Sequence, residues 1–183
     1  MKILGFIGSS KKDGNTASLV KGILDKVREA GVETKAYYLD DFEIEPCKGC
    51  YGCKSEKMKC AIQDDMQSIY MDIDNADAII LGSPIYMWQM SAQAKLFTDR
   101  LFARFNPGMK KDNASKKFLP VFTHGNPDSE MFRTYFDYTK NMFAFLGFDT
   151  MEVYAVGNTQ SLPVKNRKDI DGDLKKISGA LIT

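Results

Sequence analysis

The chain has 183 residues, 44% of them hydrophobic and 27% charged, the balance of a globular chain that closes round a single core. Lysine plus arginine (25) nearly equals aspartate plus glutamate (24), so the net charge of +1 argues against nucleic acid or a membrane surface as the main partner. No run approaches transmembrane length, and the apolar start of MKILGFIGSS is too short for a secretory signal.

Residues 2–8 (KILGFIG) predict a strand buried on both faces. Residues 17–31 predict a helix, with Leu19, Val20, Ile23, Leu24 and Val27 on one face and Gly31 as the stop. A second strand is expected over 33–39, then an insert over 44–62 that carries all four cysteines. Residues 64–76 read as a helix with Asp64 as its N-cap and Asp65 as a neighbour, not as a carboxylate dyad. A third strand follows over 77–84, a helix over 91–105, a fourth strand over 116–126, and a Met- and Phe-rich helix over 130–147. A fifth strand (149–157) and a closing helix (169–181) end the chain.

Strands that alternate with helices predict an α/β fold, a single domain over 1–183 with a right-handed, doubly wound parallel sheet. Five strands at this spacing suit the flavodoxin-like order 2-1-3-4-5, whose ligand lies beyond the C-terminal strand ends at the β1/β3 switch point. Three loops meet there: 9–16, 83–88 and 123–126.

The first loop, GSSKKDGNT, lacks both GxGxxG and the nucleotide P-loop pattern. It offers donors on Ser9, Ser10, Asn15 and Thr16, cations on Lys11 and Lys12, the small Gly14, and open N–H groups at a helix start. That set suits one phosphate dianion. The alternative is an ordinary turn capped by Thr16 or Asn15. In the second loop, Ser83 and a rigid Pro84 lead into Ile85, Tyr86, Met87 and Trp88. Tyr86 and Trp88 can edge a flat ring, with the N–H groups of 86–88 facing its heteroatoms. Otherwise Met87 and Trp88 are core or dimer contacts. The third loop holds His124, the only histidine. It reads as structural or as a ring contact before it reads as a proton shuttle.

These segments, with PCKGCYGCKSEKMKCAIQDDM and ADAIILGSPIYMWQMSAQAKLFTDR, resemble the NAD(P)H-dependent FMN reductase-like flavoproteins, and within them the iron–sulfur flavoproteins. The resemblance runs over about the first 105 residues. It implies FMN, with the phosphate on Ser9, Lys11, Asn15 and Thr16 and the ring against Pro84, Ile85, Tyr86, Met87 and Trp88. Where the family has G-S-P-R, this chain has Ser10 for the proline and Lys11 for the arginine. Lys11 keeps the charge without the bidentate fork. His124 stands where the family often has glycine.

The cysteines, Cys47, Cys50, Cys53 and Cys60, are spaced C-x2-C-x2-C-x6-C. A structural zinc site uses two separated C-x-x-C pairs. Consecutive x2 spacings with a fourth cysteine further on are the signature of [4Fe–4S] ligation, and the resembling family carries such a motif. Free thiols or a disulfide are the remaining alternatives. Lys48, Lys54, Lys57 and Lys59 would offset cluster charge or dock an acidic ferredoxin. The insert leaves the sheet at the edge that carries the phosphate loop, so a cluster is expected close to the flavin.

The expected function is FMN-dependent electron transfer between flavin and cluster, with NAD(P)H, another small molecule or a ferredoxin-type protein as electron partner. Alternatives are a cluster-free FMN or quinone reductase with redox thiols and a flavodoxin-type carrier. No Ser/His/Asp constellation points to hydrolysis. A reducing cytoplasm suits the thiols, and the apolar excess on the helices over 91–105 and 130–147 predicts a homodimer or homotetramer.

Overall fold

The computed structural model describes residues 1–55, 59–105 and 116–183. Its sheet is built on β1 (Lys2–Ile7), β2 (Glu33–Tyr38), β3 (Ala78–Tyr86), β4 (Gln89–Met90), β5 (Lys117–Thr123), β6 (Asp149–Thr150) and β7 (Tyr154–Val156). The parallel order is β2-β1-β3-β5-β6, with β7 also on β5. β4 is antiparallel to the end of β3.

The expected order 2-1-3-4-5 holds if β6 and β7 together are the fifth strand, but the strand over 149–157 is not continuous. Phe118 pairs with Thr150 and Val121 with Tyr154, so three steps along β5 face four along its neighbour. The extra residue is a bulge. Met151 N–H still bonds Phe118 O at 2.9 Å, whereas Glu152 turns outward to an ion pair with Lys140. The third strand also runs past residue 84, into a hairpin that the sequence pattern did not announce.

Side-chain alternation divides the core. Ile3, Ile7, Ala78, Ile80, Leu119 and Val121 face α1 (Asn15–Glu29) and α5 (Asp171–Ile182). Leu4, Phe6, Ile79, Leu81, Phe118 and Phe122 face α2 (Met66–Asp74), α3 (Ala92–Arg100) and α4 (Arg133–Phe145). Burying both faces of β1, β3 and β5 explains their near-continuous apolar runs. On the second face the rings stack: Phe118 on Phe143 at 3.9 Å and Phe6 on Phe97 at 4.4 Å between centroids. On the first face α1 lies close to the sheet at Gly82, where a Cβ would come within 2.3 Å of Val20 Cγ2. That contact brings the start of α1 over the ends of β1 and β3.

Candidate functional site

A cleft of about 280 Å³ opens beyond the C-terminal ends of β1, β3 and β5. One end of it is the loop before α1, the phosphate loop of the sequence reading, with Ser9, Lys11, Gly14, Asn15 and Thr16 on its wall. Gly14 is the N-cap residue of α1, and no side chain caps the helix. Neither Thr16 nor Asn15 fills the capping role the turn reading gave them, because both are otherwise bonded. Thr16 Oγ1 shares a hydrogen with Thr123 Oγ1 at 2.8 Å. Asn15 Oδ1 accepts from Val164 N (2.8 Å) and its Nδ2 donates to Thr159 O (3.1 Å). The first N–H groups of a 15-residue helix thus have no side-chain cap, at the positive end of its dipole, where an anion is favoured. Of the two cations, Lys12 is bound to Asp41 at 2.7 Å, which leaves Lys11 facing the cleft. Ser10 is exposed and does not line it.

At the other end the cleft meets Pro84, Ile85 and Tyr86. Met87 and Trp88 form the turn between β3 and β4, with φ of 46° and 67°. Two successive left-handed residues fit a type I′ hairpin, which ordinarily takes Asn-Gly. Holding a methionine and a tryptophan there costs about 1 kcal/mol or more each, and such strain collects at working sites. The turn is kept by Met90 N–H bonding Tyr135 Oη (3.0 Å) and by Trp88 edge-on to Phe132 at 6.2 Å. Tyr86, Met87 and Trp88 are 58%, 86% and 62% exposed, an apolar lip beside a polar cleft. The core alternative for Met87 and Trp88 therefore does not hold. Ser83 is wholly buried and does not line the cleft; its Oγ accepts from Ser91 N at 2.9 Å. Ser91 caps α3 and donates to Gly8 O (2.5 Å), which locks the hairpin to the phosphate loop.

His124 lines the cleft and is buried, edge-on to Phe132 at 4.9 Å. Among the described residues neither ring nitrogen, both buried, has a hydrogen-bond partner. Burial holds the imidazole below its ordinary 6.5, against weaker support from the nearby backbone at Ser129 and Asn126. Thr123, Gly125, Thr159 and Gln160 also border the cleft. Residues 159 and 160 lie in a fourth loop, after β7, that the three-loop reading omitted. The GNTQ that follows the last strand was the available signal.

A second cavity, of about 470 Å³, is lined by all four cysteines. Gly49 (φ 61°) and Tyr51 (φ 54°) curl the chain between them, and a 3-10 turn over Gly52–Lys54 follows. Cys47 and Cys50 are exposed, Cys53 and Cys60 half-buried, and all four are free thiols. Burial pushes the Cys53 thiol up, against the nearby Lys54. The far wall is apolar, made by Phe102, Met142, Phe145 and Leu146. Among the described residues no three His, Cys, Asp or Glu side chains surround one point as a single ion requires. Lys54 is not a free surface charge: its ammonium bonds the carbonyls of Phe102 (2.6 Å) and Phe105 and lies over the Phe102 ring. Lys48 pairs with Glu45, Lys59 is exposed, and Lys57 lies outside the described residues.

Asp64 is not chiefly a helix cap. It accepts one bond from Met66 N (3.1 Å), yet its main partner is the buried Arg100, at 2.5 and 3.0 Å. Cleft and cavity are tied to opposite ends of α3. Ser91 stands at one end of α3 beside the phosphate loop, whereas the cavity takes Thr98 and Asp99 from the other. The nine residues of α3 rise about 14 Å.

A model of the NADPH-dependent FMN reductase family matches residues 1–160. The chain belongs to that family. An iron–sulfur flavoprotein of Methanocaldococcus jannaschii is 46% identical over 100 residues, 55% of this chain and 51% of that protein. One from Methanosarcina thermophila is 38% identical over 112 residues, 60% and 58% of the two chains. The chain thus spans about half the length of the curated relatives it matches. The NAD(P)H:quinone oxidoreductase of Methanothermobacter marburgensis superimposes with a TM-score of 0.75 over 100% of this chain and 95% of that one, at 16% identity, a likeness of fold. The family match covers both the phosphate loop and the cysteine insert.

Proposed function

We propose that this chain is a flavin-dependent oxidoreductase that binds FMN in the cleft and a [4Fe–4S] cluster on Cys47, Cys50, Cys53 and Cys60. The observation that carries the reading is the pairing, on one family scaffold, of an uncapped helix start in a ring-edged cleft with a cavity lined by four free thiols. The residues present fit FMN. The open N–H groups of α1 and Lys11 match a phosphate, and the exposed lip of Tyr86, Met87 and Trp88 matches a flat ring. The donor set fits the cluster, since four soft thiolates suit iron–sulfur ligation better than a hard cation.

When bound, the flavin exchanges electrons in pairs or singly, and the cluster exchanges them one at a time. The chain's own residues do the rest. Lys11 and the start of α1 hold the phosphate. Pro84 fixes the slot, while Tyr86 and Trp88 cover it and exclude water. Burial keeps the His124 ring neutral at pH 7. Among the described residues, Lys54 and Arg100 anchor the insert to the end of α3.

The same reading takes NAD(P)H, another small molecule or a ferredoxin-type protein as electron partner and places the free thiols in a reducing cytoplasm. It also takes the chain as a homodimer or homotetramer, with the exposed Tyr138 and Phe145 of α4 at the contact. Light scattering at micromolar concentration tests that; a monomer refutes it. A second reading, a cluster-free reductase, is favoured by the exposure of Cys47 and Cys50. Anaerobic purification with iron and sulfide assays and steady-state NADPH oxidation decides. About four iron and four sulfide per chain support the cluster. Flavin without metal leaves the reductase alone, and zinc overturns the cluster.

A further inference from the structure

We infer that Arg100 is the positioning residue of the cysteine centre: it seats Cys60 and keeps a hydrogen bond on its sulfur. The inference rests on the cluster reading above. Arg100 ends α3 and is 1% exposed. Its Nη1 donates to Glu45 O (2.8 Å) and Asp64 Oδ2 (2.5 Å). Its Nη2 donates to Asp64 Oδ1 (3.0 Å) and to Cys60 Sγ (3.4 Å). Glu45 and Asp64 flank the cysteine segment on either side, and Asp64 further accepts from Glu45 N at 2.9 Å. One guanidinium therefore ties both stems of the insert and one of its sulfurs to a single helix end.

The chemistry selects arginine. A planar fork serves a carboxylate, a carbonyl and a sulfur at once, which the compact ammonium of lysine does not. Asp64 balances the charge at contact distance, so what reaches Cys60 is a directed N–H rather than a bare positive field. An N–H bond to a ligand sulfur favours the more negative, reduced state of an iron–sulfur centre and raises its potential. Cys60 is thereby set apart from Cys47 and Cys50, which face solvent.

The test uses the whole chain, purified without oxygen, as wild type and as Arg100→Lys. Iron and sulfide are assayed, and the midpoint potential is read by EPR during titration with dithionite. The expected result is a loaded wild type and an Arg100→Lys variant whose flavin spectrum is kept but whose cluster midpoint is more negative. A loaded variant with an unchanged midpoint overturns the inference alone. A wild type without iron overturns it together with the cluster reading. If Arg100→Lys does not fold, wild type grown with 15N-arginine decides. Pulsed EPR of the reduced centre must then show a 15N coupling absent from unlabelled protein, and its absence overturns the inference.

Discussion

The hydroxyls of Thr16 and Thr123 lie 2.8 Å apart inside the protein, joined across 107 residues of sequence. The bond links the first turn of α1 to the last residue of β5, the two walls between which the cleft opens. Asn15 adds two bonds to the segment after β7. This end of the cleft, the proposed phosphate site, is therefore set by tertiary bonds within the chain itself.

Replacing Thr123 with Val leaves the buried Thr16 hydroxyl without its partner and should destabilise the ligand-free protein by about 1–3 kcal/mol. Thr16→Val in the same background should restore part of that loss, because removing both partners strands neither. Urea unfolding of the two single variants and the double variant measures the coupling; strict additivity would contradict the shared bond.

The strained turn makes a second expectation. Met87→Asn with Trp88→Gly gives the pair that type I′ turns prefer and should raise stability by about 1 kcal/mol, a Tm rise of roughly 2–4 °C. Losing the aromatic lip should weaken FMN binding by up to about tenfold. Calorimetry and flavin fluorescence titration check both halves, and tighter binding would contradict the assignment of the lip.

His124 is the only histidine, so its titration can be followed alone by NMR. Its native pKa lies below 6.5, first because burial disfavours the charged ring. The unfolded chain then binds the proton more readily than the native one. His124 therefore contributes full stability above pH 6.5, and that share falls as pH drops from there toward the native value. The urea midpoint of wild type should fall across this window more than that of His124→Phe; equal slopes would refute it.

Asp64 has the opposite sense. Burial raises its pKa, but the Arg100 guanidinium and the N–H groups of Glu45 and Met66 outweigh it, and the carboxyl lies below its ordinary 3.8. Its stabilisation is complete above that value and is lost as pH falls through the native one. Asp64→Asn leaves Arg100 buried without its counter-ion and should cost about 3–5 kcal/mol at neutral pH, with a flatter acid limb. Chemical unfolding at neutral and acid pH reads both.

The sequence by itself determined the alternation of strands and helices, the order of the parallel sheet, three of the loops that border the cleft and the spacing of the cysteine motif. Those features are written in periodicity and spacing over a few residues, where the backbone's own geometry sets the pattern. Tertiary structure alone decided what each polar side chain spends its bonds on. Lys12, a candidate phosphate cation, goes to Asp41; Ser83 goes to Ser91; Asp64, read as a cap, goes to Arg100. The bulge between β6 and β7 and the loop with Thr159 and Gln160 depend likewise on partners across the sheet. The insert docks at the far end of α3 because its own Lys54 meets a carbonyl just beyond the helix, while Arg100 at the helix end meets a carbonyl and a carboxylate from either side of the cysteines. A burial that makes such pairs strong exists only once the chain has closed, and no local pattern records it.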